Sequence, residues 1–217
     1  MKGDIQLKQD VIEELSWDPA VDATGIGVQV NDGVVTLTGH LASLAEKYAA
    51  EAAVKRVAGV KALAVELDVR LPDDFQRTDA EIARAAANVL DWNTMIPSER
   101  IRIMVEHGAV TLTGTVDWYY QRMEADHAVA GLYGVTSVAN AILVRPQTDQ
   151  VDLGLRIKAA IERQAACDAS RVTVTVKDGA VTLGGTLPNL AEREAVANAA
   201  WSAPGVSSVS NNIRISL

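Results

Sequence analysis

The sequence is poor in cysteine, aromatic residues and basic charge, and each shortage excludes something. One cysteine in 217 residues, Cys167, rules out an internal disulfide framework and any zinc site built on cysteines. Its place just after a helical pattern favours a small buried residue over a reactive thiol. Aromatics make up 4% of the chain, so a core has to be assembled from Ala, Val, Leu and Ile. No apolar run approaches the roughly 18–20 residues of a membrane span. The opening Met1-Lys2-Gly3-Asp4-Ile5-Gln6 lacks the apolar segment of a secretory signal, so the expected compartment is the cytoplasm, or the periplasm if a leader has been removed. Twenty Lys and Arg against 28 Asp and Glu leave a net charge of −8, and the longest basic run is Lys55-Arg56. Nucleic-acid binding normally needs a basic footprint over the phosphates, so that class is demoted. What is plentiful is aliphatic: 48% hydrophobic residues against 22% charged, enough to bury a core.

The strongest signal is internal repetition. Val28 to Gly39, Ile103 to Gly114 and Val174 to Gly185 are three versions of one string, with turn glycines at Gly33, Gly108 and Gly179. Six residues after each turn comes a second glycine (Gly39, Gly114, Gly185), and twenty further on a Gly-Val pair begins at Gly59, Gly134 and Gly205. The copies are offset by 75 and then 71 residues. Nine glycines in register are read as backbone punctuation at turns and helix ends. The chain therefore divides into three small domains, 1–71, 76–145 and 149–217, separated by short linkers that each hold one proline, Pro72 and Pro146.

Each copy has the same order of elements. It opens on a four-residue apolar spacing (Leu7, Val11, Leu15; Ile82, Ala86, Leu90; Leu153, Ile157, Ile161) that keeps one stripe of a helix apolar. Asp4, Asp79 and Asp149 or Asp152 lie where an N-cap is expected. Two alternating runs follow, joined by Asp32-Gly33, His107-Gly108 or Asp178-Gly179, the chemistry of a tight β-hairpin. Ser43 and Asn189 then cap a second, Ala-rich helix, which Gly59, Gly134 and Gly205 are expected to terminate, and a third alternating run closes the unit. The expected fold class is α+β: three tandem αββαβ domains, each a three-stranded mixed sheet with both helices on one face. Strand order is not readable.

The strings Gly108-Ala-Val-Thr-Leu-Thr-Gly114 with Gly134-Val-Thr-Ser-Val-Ala-Asn140, and Gly179-Ala-Val-Thr-Leu-Gly-Gly185 with Gly205-Val-Ser-Ser-Val-Ser-Asn211, resemble the BON domain of bacterial osmotically inducible and outer-membrane-associated proteins. The first copy departs from them by carrying Val65 at the strand Asn. The resemblance implies a non-enzymatic module that contacts phospholipid or protein partners, with potassium or small-solute binding as the alternative.

Chemistry is sparse. His40, His107 and His127 occupy different positions of the repeat, and no HExxH, Walker or GxSxG motif is present, so no catalytic centre, metal site or cofactor is expected. Asn140 and Asn211 read as backbone hydrogen-bonding residues rather than ligand-binding ones. Trp17 and Trp92 each precede their turn glycine by sixteen residues, which reads as a shared core anchor. Trp118-Tyr119-Tyr120 gathers three of the nine aromatics at the start of a helix. It either fills space between copies or offers a surface to a lipid or protein partner. A net charge of −8 is repelled by anionic bilayers unless a basic face is segregated, and the candidates for one are Arg84, Arg100 and Arg102.

Overall fold

A computed structural model describes residues 3–145, 153–163 and 169–216. The first unit runs α1 (Asp4–Trp17), β1 (Ile26–Asn31), β2 (Val34–Leu41), α2 (Leu44–Arg56) and β3 (Ala62–Val69). The second runs α3 (Asp79–Trp92), β4 (Ile101–Glu106), β5 (Ala109–Val116), α4 (Tyr119–Ala130) and β6 (Ser137–Val144). The third comprises α5 (Leu153–Arg163), β7 (Val172–Lys177), β8 (Ala180–Leu187), α6 (Leu190–Trp201) and a closing strand in two pieces, β9 (Ser208–Asn211) and β10 (Arg214–Ile215).

The second strand is central in every unit. β1 pairs with β2 antiparallel and β3 joins the other edge parallel, and the same arrangement recurs around β5 and β8. The fold is thus the α+β architecture expected, with the strand order now supplied. Alternate residues Val35 and Leu37 of β2 point inward and meet Leu7, Val11 and Leu15 of α1 and Ala50, Ala53 and Val54 of α2 in one apolar cluster. Both helices therefore cover the same sheet face. Small Ala side chains on the second helix let it lie close to the sheet without aromatic bulk.

The hairpins are two-residue loops with positive φ at both positions, 50° and 80° at Asp32-Gly33 and 51° and 76° at His107-Gly108. This is the geometry that matches strand twist. Two capping expectations need correction. Asp4 and Asp79 do not cap their helices: α1 has no side-chain cap, and Thr78 forms the capping box of α3 with Glu81. Each aspartate instead accepts the two turn N–H groups of its hairpin, Asp4 from Asp32 (2.8 Å) and Gly33 (3.1 Å), and Asp79 from His107 and Gly108 (both 2.9 Å). Those two donors hold the Asp79 carboxyl below the usual carboxylate range. Asp149, Asp152 and Cys167 lie outside the described residues.

Gly59, Gly134 and Gly205 sit three or four residues past the last helical residue, not at the cap. They are the third residue of a turn closed by Val60 N–H to Val57 O, Val135 to Leu132 and Val206 to Ala203. Their φ values of 103°, 88° and 95° are what a type II turn asks of that position. Ser43 and Asn189 do cap α2 and α6, accepting from Glu46 N–H (3.1 Å) and Glu192 N–H (2.7 Å).

The units close into a ring through one repeated position. Leu44, the first residue of α2, is buried in the core of the second unit, and Leu190, the first of α6, is buried in the core of the first. At the same register Tyr119, the first of α4, stacks on Trp201 of the third unit with ring centroids 4.2 Å apart. The Tyr48 hydroxyl donates to Asp126 (3.3 Å) across the first contact, and Lys55 pairs with Glu194 (2.8 Å) across the last.

Candidate interaction surface

The aromatic run at 118–120 is divided by the structure. Tyr119 fills an inter-unit contact against Trp201, and burial raises its hydroxyl pKa. Trp118 is half-buried at the N-cap of α4, its N–H donating to Gln121 Oε1 (3.1 Å), and Tyr120 turns to solvent. No continuous three-residue surface results.

The three arginines are not brought together. Arg84 is exposed on α3, its Nε donating to the Ala80 carbonyl. Arg102 lies on β4 between the inward-facing Ile101 and Ile103, so it projects from the opposite sheet face. Arg100 is held by Asp117 (2.7 Å) with Glu99 at 3.6 Å, which cancels its charge locally.

Trp17 and Trp92 overturn the core-anchor expectation: they are 83% and 87% exposed. The physical reason is helical phase. Trp17 follows the buried Leu15 by two residues, and Trp92 follows Leu90 likewise, so each lies about 200° around its helix from the apolar stripe. The shared register is real, but it marks a repeated surface position. Arg163 ends α5 at the corresponding place.

The remaining polar candidates are structural. Asn140 Nδ2 donates to the Arg122 carbonyl of α4 (2.8 Å), its Oδ1 accepts from Ile142 N–H (3.3 Å), and Arg122 Nη2 returns to the Asn140 carbonyl (3.1 Å). Asn211 repeats this with Arg193 and Ile213. In the first unit, where Val65 replaces the Asn, Lys47 reaches the Leu67 carbonyl instead (2.9 Å). These side chains tie the second helix to the third strand, and the Arg193 Nε is left buried without a hydrogen-bond partner. His40 and His127 are exposed, and His107 sits in its hairpin turn. Among the described residues no polar or charged side chain is buried, and no three His, Cys, Asp or Glu side chains cluster as metal ligands.

A family model for the BON domain matches residues 3–70, 78–146 and 149–216, nearly the whole chain and in the same three parts as the sheets. The chain belongs to the BON domain family. Among curated proteins, these BON domains are 29% identical over 149 residues to osmotically-inducible protein Y of Escherichia coli (strain K12), covering 65% of this chain and 74% of that protein. Solved structures of CdsD, a structural protein of the type III secretion system of Chlamydia trachomatis, match at 15% identity. For its C-terminal domain the match covers 100% of both chains with a TM-score of 0.28; a second CdsD structure scores 0.27 over 96% of this chain and 91% of that one. Scores that low carry nothing about this fold. No helix among the described residues is long and apolar enough to cross a membrane.

Proposed function

We propose that this protein is a non-catalytic binding and scaffolding module of three BON units, bounded at 1–71, 76–145 and 149–217, that serves the osmotic or envelope stress response and engages a lipid surface through Trp17 and Trp92. The observation that carries the reading is the exposure of two tryptophans at equivalent helix ends. A tryptophan left 83% or 87% exposed keeps a large apolar body in water, and an indole is most favourably placed at the boundary between water and lipid. The stress link rests on the name of the Escherichia coli relative. The net charge of −8 and the paired Arg100 favour zwitterionic over anionic headgroups. In this reading the chain works in the cytoplasm, and recovery with periplasmic markers on cell fractionation would count against that placement.

Co-sedimentation with phosphatidylcholine vesicles, and with vesicles containing phosphatidylglycerol, tests the lipid assignment. Binding should be stronger to the first, and W17S/W92S should weaken it at least fivefold while the far-UV spectrum is unchanged. A folded protein that sediments with neither vesicle removes lipid and leaves a protein partner for the tryptophan pair.

A further inference from the structure

We propose that β4 is a self-pairing edge: two copies of this chain associate about a two-fold axis at Met104, which joins their three-stranded second sheets edge to edge. β4 ends its sheet, and among the described residues no strand lies beyond it. Residues 76–145 are described without a break, and the chain leaves the unit from Arg145, next to the opposite edge strand β6. The contacts between units are made by α2, α4 and α6; α4 lies over β5 and β6, whereas α3 lies over β4.

Backbone geometry fixes which groups this edge offers. The hairpin loop is two residues, His107 and Gly108, so the flanking Glu106 and Ala109 exchange both hydrogen bonds, and bonded and unbonded residues alternate from there. Glu106, Met104 and Arg102 therefore bond to β5, while the N–H and C=O groups of Val105, Ile103 and Ile101 point outward. An antiparallel second copy can use those groups only in registers that set these three residues against one another. With Met104 against Met104, Ile103 faces Val105 of the second copy and Val105 faces its Ile103, each pair exchanging both hydrogen bonds.

The same register sets Arg102 against Glu106 of the second copy, and Glu106 against its Arg102, on the solvent side of the sheet. Both residues are exposed, and neither has an ion pair among the described residues. Four residues apart on one strand, they lie about 13 Å from each other, too far to pair within one copy. Between the two charge pairs the Met104 side chains, each 54% exposed, meet and leave water. On the helix side, a groove of about 360 Å3 bordered by Ala87, Asn88, Ile101 and Ile103 takes Val105 of the second copy. The other outer strands lack this pattern. β1 presents Gly27, Gln29 and Asn31, and β7 presents Thr173, Thr175 and Lys177, with no acid to oppose the lysine.

A single strand edge is a small contact of the transient class, so dimers are expected at roughly 100 µM and above. Sedimentation equilibrium of the full-length protein should show a mass that rises with concentration from 23.1 kDa towards twice that value. R102E and E106R each set like charges against one another and should each weaken association at least about tenfold. An equimolar mixture of the two variants restores opposite charges across the axis and should recover the dimer, as should R102E/E106R. Amide exchange gives the residue-level readout: Ile103 and Val105 should slow as the dimer forms, while Met104, already bonded to β5, should not change. If either single variant fails to fold, the other and the exchange pattern decide. A mass that stays at 23.1 kDa up to about 1 mM overturns the proposal. So does a dimer indifferent to both substitutions, a mixture no tighter than either variant alone, or exchange at Ile103 and Val105 that ignores concentration. Trp17 and Trp92 lie outside this edge, so the vesicle assays and this one stand or fall separately.

Discussion

At the second glycine of each repeat, the chain tolerates no side chain. Gly114 has a φ of 136°, and a Cβ built on it would lie 2.1 Å from the Arg100 carbonyl oxygen. Gly39 and Gly185 are in the same position against Gly25 and Arg171. The obstacle is backbone, not a side-chain tip that can swing away. Gly114→Ala should therefore cost about 3 kcal/mol or more, from the positive φ and the displaced chain together. Urea unfolding measures it, and a loss below about 1 kcal/mol would show that the strand edge can shift freely. Residues of this kind were legible from the sequence, because the glycines recur in register. Trp17 and Trp92 also recur in register, yet they face solvent and not the core. Recurrence says that a position is repeated; only the angle from Leu15 and Leu90 says which way it faces.

Among the elements, the second helices carry the assembly. Their inward faces were readable from Ala-rich composition and from the Ser43 and Asn189 caps. Their contribution to neighbouring units was not, because an apolar residue in a first helical turn looks like any other core residue. Leu44 and Leu190 play the same part, but the interfaces differ in covalent support. The first and second units are joined by the chain through Pro72, so they stay at high effective concentration when a contact weakens. The first and third are held at their seam by Leu190, the partly buried Ile215 and the half-exposed Lys55–Glu194 pair, which as a surface pair adds little. Leu190→Ala should cost about 2–3 kcal/mol and speed amide exchange along the facing parts of α2 and α6. Leu44→Ala should lower stability similarly without separating its units. Equal exchange behaviour in the two variants would mean that the seam is not the weaker joint.

Over the whole molecule, the contact between the first two units is recorded in Tyr48. Burial, and then the neighbouring Asp126 carboxylate, push its hydroxyl up to about 12. A group whose folded pKa lies above its ordinary value of 10 contributes stability that is complete below pH 10 and is lost as pH rises towards 12. Stability should therefore fall across that window, and Tyr48→Phe should flatten the part of the fall due to this contact. Chemical denaturation at pH 8, 10 and 11.5 compares the two proteins, and identical slopes would remove Tyr48 from the contact between the first two units. Much of the architecture was present in the sequence by itself. The triplication, the hairpins and the helical stripes follow from local rules of backbone geometry and periodicity, which act within a few residues of one another. Only the tertiary structure decided that β2, β5 and β8 are central, that Tyr119 belongs to an inter-unit stack, and that Leu44 and Leu190 are buried in the cores of neighbouring units. Those outcomes depend on which surfaces meet across tens of residues or more, 28 between the paired central and third strands and 82 between Tyr119 and Trp201, and no local preference encodes a meeting at such distances.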